Sequence, residues 1–476
     1  MLTKSAEIYY KKLLENYENS YFAEDKDKII IGIDCDFLDG FKMDFSEFKA
    51  KFYELKTKKS LCKEAGLFGV LRANFINIFE KLPECEKKNY DFPPFLFADA
   101  KAYLIFEKNS KMYYKYGSKH YFKPLYEMRL KEEKSSHHQY FFKITNDLEA
   151  QKKDFFAMLE KAREYLLSGD IFQVVLSKQL CIETNIDSFE FYKLLSKENP
   201  SPYMFYFPTN YGVVLGSSPE LVLSIKNKEL FIAPIAGTRN LNEKSDFKAL
   251  EKDLLSDEKE LCEHRMLVDL ARNDISKFGT NTRVKNAFSV VSYQFVMHIL
   301  SEVYANLKDE ASIFDAIAAV FPAGTLSGAP KIRALEIITE LEGLDRGIYG
   351  GAIGFLRFNE DVILAILIRS GIFVKDKFYL ASGAGIVLAS DKEKEYAEIV
   401  AKRRSLLAVF ENLAKKAHKT APKVLKTKTL KTAPKVLKTS PLKSTSKSST
   451  SQKNSKNVSK NSKTKSARVS KKGVEK

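Results

Sequence analysis

Phe155, Leu159, Ala162 and Leu166 recur every three or four residues, the spacing of one helix face. Gly169 marks the end of that run. The period then changes. "IFQVVLSKQL" (171–180) reads as a strand, and "YGVVLGSSPELVLSIKNKELFIAPIAGTRN" (211–240) reads as three strands with a turn at "KNKE". A helical stretch is predicted over roughly 246–275. A Gly/Ser/Thr loop, "FPAGTLSGAPK" (321–331), leads into a further helix, and three more apolar strands follow. The last helix is predicted to start at Ser390, with Ser390 and Glu393 as a capping box. Strands grouped with helices, without regular β-α-β alternation, predict an α+β fold with mostly antiparallel sheets.

Residues 1–145 alternate short apolar runs with turns and carry no recognisable chemistry. The expected division is 1–145, 146–414 and a tail, 415–476. That tail repeats "TAPKVLKT" at 420 and 432 and has no aromatic residue. It cannot bury enough apolar surface to offset its ordering entropy, so it is predicted to be disordered. It also changes the reading of charge. Of 78 basic and 61 acidic residues, 20 basic and one acidic lie in 415–476, which leaves 58 and 60 in the body. The net +17 therefore belongs to the tail, whose partners would be weakly held polyanions.

The five cysteines form no C-x-x-C pair, which points away from a disulfide framework or zinc site and towards a reducing, cytoplasmic setting. No apolar run approaches the ~20 residues of a membrane helix, and the charged N-terminus is unlike a signal peptide.

The candidate chemistry starts with acids. Glu260 and Glu263 lie one turn apart in "KELCEH". Glu395, Glu398 and Lys402 share a face in "DKEKEYAEIVAKRR". Read singly, each pair is also a solvated helix face, and Asp257 is a natural N-cap for the first. Read together they are two halves of one site. Like charges ~4 Å apart repel by ~4 kcal/mol at an effective dielectric of 20, so a cation is needed. Oxygen-only ligation selects Mg²⁺ or Mn²⁺. In "SGAGIVLAS" the glycines precede strand residues and not a helix, so Gly383 and Gly385 read as close backbone approach to a ligand and not as a dinucleotide fingerprint. Arg369 ends an apolar strand, where it pairs with a structural acid or clamps a ligand carboxylate. His298 is a core histidine or a site residue. Glu220 is a turn acid, or a general acid if burial raises its pKa.

Ten stretches occur in order over about 165–405: "GDIFQVVLSKQ", "PSPYMFYF", "GSSPELVL", "PIAGTRN", "KELCEHRMLVDLARND", "VMHILSEV", "FPAGTLSGAPKIRALEII", "GIYGGAIGF", "IRSGIF" and "ASGAGIVLASDKEKEYAEIVAKR". Together they resemble the chorismate-utilising enzymes, in particular the anthranilate synthase component I family. The resemblance implies a helix-decorated antiparallel β-sandwich. It also implies Mg²⁺ bound directly by Glu263 and Glu398, with Glu260 and Glu395 assisting through water. Mg²⁺ and Lys402 would hold the ring carboxylate of chorismate. Tyr349, Arg369 and the Gly383-Ala384-Gly385 backbone would hold the enolpyruvyl carboxylate. Gly237, Thr238 and Thr325 would line the pocket, Glu220 would protonate the departing hydroxyl, and His298 would sit beside it.

Branch choice within the family rests on two positions. Gln173 stands where water-activating relatives carry Lys, and Ala236 stands where many para-aminobenzoate enzymes carry a nucleophilic Lys. Both imply anthranilate formation, with aminodeoxychorismate synthesis the alternative. None of the five cysteines lies in a glutaminase elbow, so ammonia is expected from a separate glutamine amidotransferase subunit or from solution. The family's tryptophan-feedback segment is altered to Glu24-Asp25, while its other half, Pro202-Tyr203-Met204, is intact.

Overall fold

The computed structural model describes residues 4–58, 61–128, 140–241, 246–292 and 296–420. The predicted disordered tail lies outside the described residues from 421 onward. Before that point the last helix, Lys392–Thr420, runs on past Lys415.

Strand Phe95–Glu107 is the seam of the sheet. It pairs antiparallel with Lys28–Asp39 on one side and Gly66–Leu71 on the other. From Lys28–Asp39 one arm continues through Tyr21–Glu24, Tyr203–Thr209, Gly212–Ser218, Ser370–Val374 and Lys377–Ile386 to Gln173–Thr184. From Gly66–Leu71 the other continues through Ala352–Arg357, Val362–Ile366, Leu221–Lys226 and Glu229–Ile232 to Val296–Leu307. All these pairings are antiparallel, as the absence of β-α-β alternation predicts.

The arms share one core. Phe205, Val214 and Ile372 of the first are buried in the same cluster as Leu223, Val303 and Leu364 of the second, the arrangement of a sandwich. Helices cover the outer faces. Tyr10, Phe191 and Phe410 lie in one apolar cluster outside the first arm, and Phe155, Leu159 and Ile337 lie with Ala384 in another. Residues 1–145 are not a separate body, because Phe22 and Glu24 pair with Tyr206 and Met204.

Three local expectations are corrected. The 211–240 stretch forms four strands, Gly212–Ser218, Leu221–Lys226, Glu229–Ile232 and Ile235–Asn240. Besides the turn, breaks fall at Pro219 and Pro234, neither of which has an N–H to donate to a ladder. The 246–275 stretch is two helices, Phe247–Ser256 and Glu258–Ser276. Asp257 separates them and caps the second, accepting from the Glu260 N–H at 3.3 Å. The last helix is capped by Asp391, whose Oδ1 accepts from the N–H groups of Glu393 and Lys394 at 3.1 and 3.0 Å. The Ser390 hydroxyl accepts instead from the Val387 N–H at 3.1 Å. A carboxylate is the stronger acceptor at a helix N-terminus, so the start moves one residue along.

Candidate active site

An open cleft of about 840 Å³ lies between the arms, and its wall includes Glu220, Ala236, Gly237, His298, Tyr349, Arg369 and Lys402. Five of these come from strands or strand ends distributed over both arms, Tyr349 comes from the turn before Ala352–Arg357, and Lys402 comes from the last helix. The sandwich is what brings them together.

Arg369 has a left-handed backbone, φ 50°, uncommon for a side chain larger than Asn and a mark of functional sites. Its guanidinium forms no ion pair among the described residues, and burial lowers its pKa. Lys402 Nζ donates to the Gly383 carbonyl at 2.8 Å and contacts Glu398 Oε1 at 2.7 Å. A buried unpaired guanidinium is costly, so its persistence marks a place for an anion.

Glu220 follows the break at Pro219. Burial raises its pKa to about 7, against the Thr325 hydrogen bond and the charge of Lys402. Thr325 Oγ1 donates to Glu220 Oε1 at 2.8 Å. A carboxyl that is half neutral near pH 7 can donate a proton. His298 Nδ1 lies 2.7 Å from the Gly237 carbonyl. Burial lowers its pKa, and the charges of Arg369 and Lys402 add to that. The imidazole is therefore neutral, with Nδ1–H as the donor to that carbonyl. Gly237 itself has φ 66°, a conformation that suits glycine.

The four acids of the sequence reading converge from two helices. Lys259 Nζ on the first lies 3.4 Å from Glu395 Oε1 on the second. Burial, then the charge of Glu260, raises the Glu263 pKa to about 7, and Glu398 adds to the shift. Glu260 is raised too, again mainly by burial, with Glu398 contributing. No group of three or more His, Cys, Asp or Glu among the described residues is arranged as a ready metal cage. The donor set nevertheless fits a hard cation: clustered carboxylates suppress one another's ionisation, and Gln173 Oε1 is buried with no donor, a lack that a metal-bound water would fill. Glu260, Glu263, Glu395 and Glu398 are the carboxylates that could hold such a cation.

Strand Lys377–Ile386 explains the glycines. A Cβ on Gly383 would lie 2.8 Å from the Tyr349 hydroxyl, and one on Gly385 would lie 2.6 Å from Gln173 Nε2 and 3.2 Å from Glu263 Oε1. Their absence lets those groups reach the strand. Ala384, between them, faces the opposite way into the apolar cluster under the helices. Thr238 lies on Ile235–Asn240, and its side chain falls outside the described residues. Pro202, Tyr203 and Met204 are not part of this cleft's wall. Tyr203 and Met204 line another cavity, of about 490 Å³, together with Glu24 and Asp25.

Some contributors escaped the sequence reading. Gln173 Nε2 donates to Glu263 Oε1 at 2.7 Å, so the residue used to choose a branch also holds a carboxylate. Arg346 stacks on the Tyr349 ring at 5.7 Å and donates to the carbonyls of Leu326 and Val175, both at 2.7 Å. Its signal was its place three residues before Tyr349.

The chain belongs to the family of chorismate binding enzymes, whose match spans residues 11–408. An anthranilate synthase component 1 from Acetivibrio thermocellus is 49% identical over 264 residues, 55% of this chain and 53% of that protein. The chain thus spans about half the length of the curated relatives it matches. The crystal structure of anthranilate synthase component I from Streptococcus pneumoniae TIGR4 is 32% identical with a TM-score of 0.69, over 81% of this chain and 89% of that one. A menaquinone-specific isochorismate synthase from Escherichia coli, 17% identical with a TM-score of 0.65 over 86% of this chain and 92% of its own, shares the fold.

Proposed function

We propose that this chain converts chorismate and ammonia to anthranilate and pyruvate, as the large subunit of a Mg²⁺-dependent anthranilate synthase. The observation that carries the reading is the cleft itself: Arg369 without an ion-pair partner, Lys402, and the proton-bearing Glu220 share one wall. Two cations match a dicarboxylate, and an acid in the same cleft matches loss of a hydroxyl.

Arg369, Tyr349 and the Gly383–Gly385 backbone hold the enolpyruvyl carboxylate, and Lys402 faces the ring carboxylate. Glu220 passes its proton to the C4 hydroxyl, which leaves as water while ammonia adds at C2. Loss of the C2 proton and of pyruvate then gives the aromatic ring. Neutral His298 sits beside the hydroxyl without competing for its proton. Glu263 and Glu398, with Glu260 and Glu395 assisting, would hold Mg²⁺, which when bound would supply charge stabilisation at the ring carboxylate. Gly237 lines the cleft and Thr325 holds the acid.

Ammonia comes from a glutamine amidotransferase subunit, because no cysteine of this chain forms a thiolate elbow. The five cysteines are unpaired, which supports a reducing, cytoplasmic setting. The second cavity suits an amino acid such as tryptophan. Its two halves are joined where Glu24 pairs with Met204, and Pro202 leads into that strand.

Incubation with chorismate, Mg²⁺ and ammonium, followed by identification of the aromatic product, tests the reading. Isochorismate or a para product overturns it.

A further inference from the structure

Thr325, which holds the acid, sits on the loop between helices Ile313–Val320 and Lys331–Glu342. One ammonium closes that loop. Lys331, the first residue of the second helix, donates from Nζ to the carbonyl of Val320, the last residue of the first, at 2.8 Å. The same Nζ meets Asp274 Oδ2 at 2.6 Å. Asp274 lies near the end of Glu258–Ser276, the helix whose first turns carry Glu260 and Glu263. Both side chains are nearly closed to solvent, 10% and 6% exposed. Gly324, next to Thr325, sits against the same helix: a Cβ there would meet Leu270 at 2.5 Å. None of these contacts touches the cleft, yet Asp274, Thr325 and Glu220 line one small cavity behind it, of about 380 Å³.

We infer that Lys331 and Asp274 are positioning residues for the acid step, acting on Glu220 through Thr325. The inference rests on the proposed role of Glu220. The Lys331 ammonium ties both ends of the loop to the carboxylate-bearing helix. This fixes where the Thr325 hydroxyl meets Glu220. A neutral Glu220 that accepts from Thr325 at Oε1 carries its own proton on Oε2. The clamp therefore decides which oxygen presents the proton to the substrate. A buried ion pair seldom adds net stability over an apolar pair of similar volume, so a positional role gives it a reason to be ionic.

The test uses the full chain. Infrared difference spectra of ¹³C-glutamate-labelled protein, parent minus Glu220→Gln, identify the Glu220 carboxyl band. Thr325→Val should shift that band. Asp274→Leu/Lys331→Met, which removes both charges and leaves neither unpaired, should shift it in the same sense. Both should lower kcat about 10- to 100-fold with the chorismate KM within about threefold. The triple variant should be no slower than the slower of the two, because they act along one chain of contacts. If Asp274→Leu/Lys331→Met fails to fold, Asp274→Asn replaces it: the amide keeps the volume but removes the charge that holds the Lys331 ammonium. A Glu220 band unmoved by the clamp variant, or losses that multiply in the triple variant, would overturn the inference. A parent protein inactive on chorismate would overturn the proposed reaction instead, and the infrared comparison would still read the clamp.

Discussion

Thr325 and Glu220 are 105 residues apart in the chain and 2.8 Å apart in the fold, with the threonine hydroxyl donating. The bond joins a loop before one helix to a strand end on the second arm. Because a donor to a carboxyl favours its charged form, this bond and the Lys402 charge oppose the burial that raises Glu220 to about 7. Activity that needs the protonated acid should be full below that value and fall as pH rises through it. Glu220→Gln should remove this limb and lower kcat at least about 100-fold. A pH–rate profile at saturating ammonia checks it, and an unchanged profile in the variant would assign the limb to another group.

Glu263 makes a second pH-dependent case. Its folded-state pKa, about 7 against an ordinary 4.5, means that the native state holds a proton the unfolded chain has lost. Ionising it therefore costs stability as pH rises from the lower value through the higher. On the proposed reading Mg²⁺ would bind the ionised form and cancel that cost. Its effect on Tm should be small near pH 5 and larger near pH 8 (about these values, set by the same window). Glu263→Gln should flatten the difference and lower kcat on the order of 100-fold. Thermal melts with and without Mg²⁺ at both pH values measure this without any turnover.

The sequence made the acids visible because helical spacing is strict: carboxylates three apart must share a face. It made the antiparallel class visible because no regular β-α-β alternation occurs. It was weaker where competition between similar groups decides. Ser390 and Asp391 both suit a helix start, and only local geometry shows the carboxylate taking it. The break at Pro219 was readable from its missing N–H and from the polar Ser217, Ser218 and Glu220 around it. Lys331 and Asp274 had no local signal at all, since their partnership is 57 residues long and formed only by packing.

Gly385 offers a steric prediction. Any side chain there would press on Gln173 Nε2 at 2.6 Å and crowd Glu263 Oε1 at 3.2 Å. Gly385→Ala should leave the strand paired, because alanine tolerates extended backbone, but displace the amide that holds Glu263. Apparent Mg²⁺ affinity should fall about 10- to 100-fold, the usual cost of losing a group that orients a ligand. Titration calorimetry with Mg²⁺ alone is the measurement, and parent-like affinity would mean that Gln173 does not orient Glu263.

The product depends on Ala236, which lines the cleft and is buried. In the proposed reaction a methyl group at this position cannot attack the ring, so free ammonia would add at C2 and the amino group would end ortho to the carboxylate. The parent protein should therefore give 2-aminobenzoate and pyruvate in equal amounts. Ala236→Lys places an amine against the same ring position. If burial keeps that amine partly neutral it becomes the competing nucleophile, and ammonia-dependent anthranilate should fall on the order of 10-fold or more. The displaced chemistry leaves a trace: attack by the lysine releases water and adds the remainder of chorismate to the protein, which intact mass spectrometry reads directly. Anthranilate formed by Ala236→Lys at the parent rate, with no adduct, would mean that position 236 does not face the reacting carbon.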